Sequence, residues 1–159
     1  MTLTLRPMRA AEADAVADMV QGLAGHIGQG VVAKLTGPGL RAAADLIDVV
    51  VAEEHGRLIG ACLGLMTFST WRGARGLYVV DLYVEPAARG RNIGQRLLRC
   101  TAQRFAARGA EFIKLEVDES NSGAQRFYAR LGFAKKTQDR LHILEQDGLT
   151  ALTASGGET

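Results

Sequence analysis

A mixed α/β fold with helices on both faces of a twisted sheet is predicted from three observations. The first is element order: apolar alternation and helical spacing succeed one another as β-α-α-β-β-β-α-β-α-β-β. The second is Tyr78 to Gln95, an apolar β run stopped by Pro86, followed by a Gly/Arg-rich turn and a helical pattern. The third is composition. At 47% hydrophobic and 23% charged over 159 residues, the chain suits one globular domain, 1–159, with its core at about 3–145.

Leu3–Arg6 alternates and ends at Pro7, predicting a short first strand. Ala13, Val16, Ala17, Val20, Leu23 and Ala24 recur at helical spacing up to Gly25. His26–Gly39 is Gly-rich and predicts a loop, after which Leu40, Ala43, Ala44 and Ile47 share a helical stripe. Asp48–Glu54 and Leu58–Phe68 predict a hairpin turning at His55-Gly56, with Gly60 and Gly64 marking bulges or close approaches. Phe68–Gly76 is a loop with the sole tryptophan, Trp71. The organising strand leads into a helix carrying Leu97, Leu98, Thr101, Ala102 and Phe105, closed by Gly109.

Ile113, Leu115 and Val117 alternate with Lys114, Glu116 and Asp118 in a half-buried strand. Ser120 or Asn121 caps the next helix, whose stripe is Ala124, Phe127, Tyr128 and Leu131 and which ends at Gly132. Phe133–Gln138 and Leu141–Glu145 predict a final hairpin, Gln146–Leu152 a short helix, and Thr153–Thr159 a disordered tail.

A strand delivered by a Gly-containing turn onto a helix start presents amides without helical partners and a positive dipole end, which suits a phosphate. The net charge of +2 is too small for a nucleic-acid surface, so Arg89, Arg91, Arg96 and Arg99 point to a small phosphorylated ligand or a solvated helix face. Cys62, Cys100 and three scattered histidines give neither a disulfide framework nor metal-ligand spacing, so no metal is expected. No run approaches about 18 apolar residues and no leader pattern opens the chain, so no membrane partner and a cytoplasmic location are expected.

The order Arg89-Gly90-Arg91-Asn92-Ile93-Gly94 resembles the Gln/Arg-x-x-Gly-x-Gly/Ala loop of the GCN5-related N-acetyltransferases (GNAT), which wraps the pyrophosphate of acetyl-coenzyme A. Asn121-Ser-Gly-Ala-Gln-Arg-Phe-Tyr128-Ala-Arg-Leu-Gly-Phe133 resembles that family's second signature. Asn92 departs from the pattern where a glycine would stand, and asparagine tolerates left-handed backbone. The resemblance covers Leu3 to Glu145 and implies the GNAT fold, a mixed sheet of six or seven strands.

It also implies acetyl transfer from acetyl-CoA, as acyl donor, to a primary amine in a ternary complex. Leu82, Tyr83 and Val84, with a bulge in that stretch, would line the donor and direct an N–H at the thioester oxygen. Arg89, Gly90, Arg91, Asn92, Ile93, Gly94 and Gln95 would hold its pyrophosphate. Asn121 would hydrogen-bond near the pantetheine arm. Tyr128 matches the family tyrosine that serves the leaving thiolate; a phenol with pKa of about 10 is still a donor at neutral pH. Candidate bases, or carboxylates that position water, are Asp81, Glu85, Glu116 and Asp118.

Phe68-Ser-Thr-Trp71 and Gly-Leu-Tyr-Val-Val-Asp81 are similar to the diamine (spermidine/spermine-like and thialysine) acetyltransferases, which carry a Glu-Asp pair here. Val80 replaces the glutamate, leaving Asp81 alone. That favours a small-molecule amine, with Trp71, Asp81 and Glu116 as candidate substrate contacts, and argues against a polyamine. Lysine-like amino acids, other amines and a protein N-terminus or lysine stay open. A non-catalytic acyl-CoA-binding domain is the competing reading, and family habit implies a homodimer. A nucleotide P-loop is set aside, because no Gly-Lys-Ser/Thr ending follows the loop.

Overall fold

The computed structural model describes residues 2–27, 30 and 32–154. The chain divides into two compact units, Met1–Asn121 and Ser122–Thr159.

The first unit is a five-stranded sheet in the order β1-β2-β3-β4-β5: β1 (Thr4–Pro7), β2 (Asp48–Glu54), β3 (Arg57–Ser69), β4 (Ala74–Val84) and β5 (Ala110–Lys114). Neighbours run antiparallel from β1 to β4, and β5 joins β4 in parallel. A parallel pair requires a crossover, which α3 (Ile93–Ala106) supplies. The β2–β3 hairpin turns at His55 (φ 53°) and Gly56 (φ 74°); two successive left-handed residues give the twist that a two-residue turn needs.

Helices cover both faces. On one, α1 (Ala13–Ile27) and α2 (Gly37–Ala42) bury Ala13, Val16, Met19, Val20 and Leu40 against Val49, Val51, Ala61 and Leu63. On the other, α3 comes so close to β3 that a Cβ on Gly60 would lie 2.9 Å from Leu97 Cδ1 and 2.8 Å from the Tyr83 carbonyl. A Cβ on Gly64 would lie 2.6 Å from Leu77 Cδ1, with Phe105 Cζ at 3.8 Å. Both glycines are therefore close-approach positions, as expected, and a bulge lies opposite or beside each of them. Near the sheet edge, the Arg6 guanidinium bonds both Glu12, at 2.6 Å, and Glu53. It holds the Glu12 carboxyl down to about 2.

The second unit contains α4 (Ser122–Arg130) and α5 (Gln146–Ala154). Helix α4 ends in a Schellman motif: the Phe133 N–H donates to the Tyr128 carbonyl at 3.1 Å, and the N–H of Gly132 (φ 93°) donates to Ala129 at 3.0 Å. The apolar contact that accompanies this motif is Phe133 edge-on to Tyr128, with ring centroids 5.3 Å apart.

Several expectations are corrected. Five strands form among the described residues, not six or seven, because Phe133–Gln138 and Leu141–Glu145 do not pair as a hairpin. Local alternation favours extended backbone, but an isolated two-stranded hairpin is marginal without a third strand or a packed face. Helix α2 stops at Ala42, short of Ala43, Ala44 and Ile47, since a six-residue helix made largely of Gly, Pro and Arg has little propensity to propagate. Strand β5 begins at Ala110 and ends at Lys114, where its pairing with β4 ends. Helix α1 continues to Ile27, and the loop expected next includes residues 28, 29 and 31, outside those described. Of the expected tail, Thr153 and Ala154 belong to α5, and 155–159 lie outside the described residues.

Candidate active site

The site begins with a change of phase in β4. Leu63 of β3 faces Asp81 and Gly64 faces Val79, so Val80 is the extra residue of a bulge. The bulge falls earlier than Leu82–Val84, the stretch where it was expected; those residues pair in register with Cys62, Ala61 and Gly60. Gly64 allows it there, because no side chain on β3 resists the local crowding by Leu77 and the Tyr78 carbonyl. Before the bulge Tyr78 stands opposite Leu65, and after it Asp81 stands opposite Leu63. Partners two residues apart on β3 share a face, so Tyr78 and Asp81 do too.

Pairing with β5 stops at Tyr78–Lys114. Amides and carbonyls of Val79–Val84 that point away from β3 therefore have no strand opposite them. Beyond the strand, Glu85 N–H donates to the Ile59 carbonyl, Pro86–Ala88 forms one 3₁₀ turn, and Gly90 (φ 76°) and Asn92 (φ 58°) turn the chain into α3. Asn92 thus adopts the left-handed backbone that the motif's glycine would have supplied. The first α3 bond joins Arg96 N–H to the Asn92 carbonyl at 3.0 Å, so the amides of Ile93, Gly94 and Gln95 lie ahead of the helical ladder.

Two loop arginines serve the loop itself. Arg89 Nε donates to the Val84 carbonyl at 3.0 Å. Arg91 grips Glu54 at the end of β2 through two bonds of 2.6 and 3.1 Å, and holds that carboxyl below its usual range. The Arg91 charge is thus compensated by Glu54, while the amides of Ile93–Gln95 precede the first helical bond. An open cavity of about 460 Å³ adjoins the end of β4, lined in part by Tyr83, Glu85, Leu58, Met19 and Asp18. Tyr83 lies against Gly22 of α1, where a Cβ would stand 3.1 Å from its hydroxyl.

The four candidate carboxylates separate by their partners. Glu85 is ion-paired with Arg57 at 2.9 Å. Asp118 accepts from the Ser120 N–H at 2.8 Å and from its hydroxyl, which lower it. Glu116 stands near the Tyr78 phenol, which burial and this carboxylate raise above its ordinary value. Asp81 is half-buried, receives no donor among the described residues, and is pushed up to about 6 by burial. Lys114 places its ammonium 5.4 Å from the Tyr78 ring centroid.

Trp71 is almost fully exposed, in the turn before β4, and Asp81 lies seven residues along that strand from Ala74, roughly 23 Å at extended spacing. The structure does not bring those two together. Asn121 closes the first unit with its N–H on the Asp118 carbonyl at 2.9 Å. In the second unit Tyr128 lies edge-on between Phe127, at 5.0 Å, and Phe133. Sequence reasoning passed over Tyr78 and Lys114. The signal for them was an aromatic residue and a cation on adjacent predicted strands, legible only once the register is known.

An open sheet whose fourth strand parts from the fifth and then turns onto an amide-rich helix start defines a class of α/β protein suited to an extended anionic ligand. The family model described as "Acetyltransferase (GNAT) family" matches residues 34–133, and the chain belongs to that family. It is similar to thialysine N-epsilon-acetyltransferase of Bos taurus, 32% identical over 81 residues covering 51% of this chain and 47% of that protein. It is also similar to streptothricin acetyltransferase of Streptomyces lavendulae, 35% identical over 91 residues, 57% of this chain and 46% of that protein. The chain spans about half the length of the curated relatives it matches. An integron cassette protein from the mobile metagenome of V. cholerae shares the fold, with a TM-score of 0.79 at 19% identity over 98% of this chain and 99% of that one. No helix among the described residues is long and apolar enough to cross a membrane.

Proposed function

We propose that the protein is an acetyl-CoA-dependent N-acetyltransferase, acting on a primary amine of a small molecule by direct attack in a ternary complex. The observation that carries this reading is Asp81, a half-buried carboxylate without a donor, on the part of β4 that leads to the amides of Ile93–Gln95. The printed names of the thialysine and streptothricin relatives, both acetyltransferases, support the class of reaction.

Acetyl-CoA supplies an activated acetyl thioester. The residues present suit it: Gly90 and Asn92 turn the chain so that Ile93–Gln95 amides meet the pyrophosphate, while Leu82–Val84 offer backbone groups to the pantetheine arm, with Asn121 assisting. Arg89 and Arg91 hold the loop in shape through Val84 and Glu54. Asp81 receives the acceptor's ammonium and takes or relays its proton; an alkylammonium with pKa of about 10.4 has to lose one before attack. Tyr128 Oη donates to the departing sulfur. The reading takes the protein to act in the cytoplasm and as a homodimer, to which the exposed Leu141, Ile143, Leu149 and Leu152 contribute apolar surface.

Thiol release from acetyl-CoA across a panel of small amines tests the reaction, with calorimetry of CoA against dephospho-CoA and ATP for the donor site. Turnover with at least one amine, lost in Asp81→Asn, is expected. CoA binding without turnover on any amine would replace this reading with a non-catalytic acyl-CoA-binding domain.

A further inference from the structure

Tyr78 and Asp81 on β4, Lys114 at the end of β5 and Glu116 just beyond it form a small constellation. The Tyr78 ring lies under the Lys114 ammonium, at 5.4 Å, and burial, with the Glu116 carboxylate nearby, raises its phenol. Asp81 shares its face, one β3 rung away, and its charge is felt at the same phenol. An electron-rich ring with a carboxylate at its rim is a seat for an alkylammonium. Here the chain's own lysine occupies that seat. Beside it, Asp81 offers one uncompensated negative charge, and its neighbour is Val80 rather than a second acid.

We propose that Lys114 is a specificity-determining residue that reserves the Asp81 site for amines carrying one positive charge. Its ammonium fills the Tyr78 face on which the second ammonium of a diamine would otherwise rest. A diamine held at Asp81 has to displace Lys114 or place its second charge against it, and either course weakens binding. A monoamine meets only the apolar edge of the ring. This inference rests on the assignment of Asp81 as the acceptor's contact.

Pentylamine and 1,5-diaminopentane differ by that one charge at equal length. Their Kd values, measured by calorimetry with CoA present, and their kcat/KM values by thiol release, are compared in the wild type and in Lys114→Arg, Lys114→Ala and Lys114→Glu. The wild type is expected to favour the monoamine by about tenfold, the scale of one repulsion between partly screened charges. Lys114→Arg keeps that preference, Lys114→Ala brings the two amines near parity, and Lys114→Glu reverses it. Unchanged melting temperatures would show that the ratio moves without loss of fold. A ratio unmoved by Lys114→Ala and Lys114→Glu, a wild type that prefers the diamine, or no binding of either amine overturns the proposal. Expected binding ratios without thiol release would overturn acetyl transfer and leave Lys114 in its role; thiol release with an unmoved ratio would do the converse.

Discussion

Tyr78 and Asp81 stand three residues apart in β4 yet on the same face of the sheet, opposite Leu65 and Leu63 of β3. In a regular strand, residues three apart face opposite ways. The bulge at Val80 removes that alternation and sets a phenol beside a carboxylate. Without it, Asp81 would point with Val79 toward the face where α3 packs.

Asp81 is expected to trade stability for activity. Its folded pKa of about 6 lies above the ordinary carboxylate value, so its ionisation costs folding free energy. The penalty is absent below about pH 4, enters as pH rises to 6, and is complete above that. Asp81→Asn should match the wild type near pH 4 and exceed it near pH 8 by about 1–2 kcal/mol, after allowance for solvent screening. Urea denaturation at both pH values measures this. The variant should lose acetyl transfer, while wild-type kcat/KM should climb with pH through about 6. A variant less stable at pH 8 and fully active would sink both assignments.

The Glu12 carboxyl carries the opposite sign. Arg6 holds it at about 2, below its unfolded value, so its contribution is present above about pH 4.5 and is lost as pH falls toward 2. Glu12→Gln should cost about 1–2 kcal/mol at pH 7 and flatten the acid limb of the stability curve. Equal acid limbs for variant and wild type would show that the Arg6–Glu12 pair contributes nothing to acid sensitivity.

Gly60 and Gly64 should not respond alike to alanine. At Gly60 the new Cβ meets the Tyr83 carbonyl at 2.8 Å, and backbone held in the β3–β4 ladder yields less readily than a side chain. At Gly64 the closest atom is Leu77 Cδ1, a side-chain methyl. Gly60→Ala should therefore cost about 2–3 kcal/mol and Gly64→Ala about 1–2 in chemical denaturation. The reverse ranking would contradict the packing described for α3.

Tyr128→Phe keeps both ring contacts and the helix end while removing one hydroxyl. With Tyr128 as the donor to the leaving sulfur, kcat should fall by about 10²–10⁴ with CoA affinity little changed. A kcat within a few-fold of wild type, with a loss of about 1 kcal/mol in stability, would return Tyr128 to a purely structural part.

What the sequence determined by itself is what short-range stereochemistry decides. His55-Gly56 specifies a two-residue hairpin through two left-handed residues, Gly132-Phe133 specifies the end of α4, and the run from Pro86 to Gly94 specifies strand, turn and helix start. Each rests on the backbone preferences of a few adjacent residues. Registers and partners belong to the tertiary structure alone. Phe133–Glu145 alternates well enough for a hairpin and forms none, because pairing depends on what lies across from it. The bulge at Val80 exists only against Gly64, sixteen residues away across a turn. Asp81, Glu85, Glu116 and Asp118 look alike as letters. Arg57 holds Glu85 and Ser120 holds Asp118, Glu116 stands by the Tyr78 phenol, and Asp81 is left half-buried without a donor, since partners are set by distance in space and not along the chain.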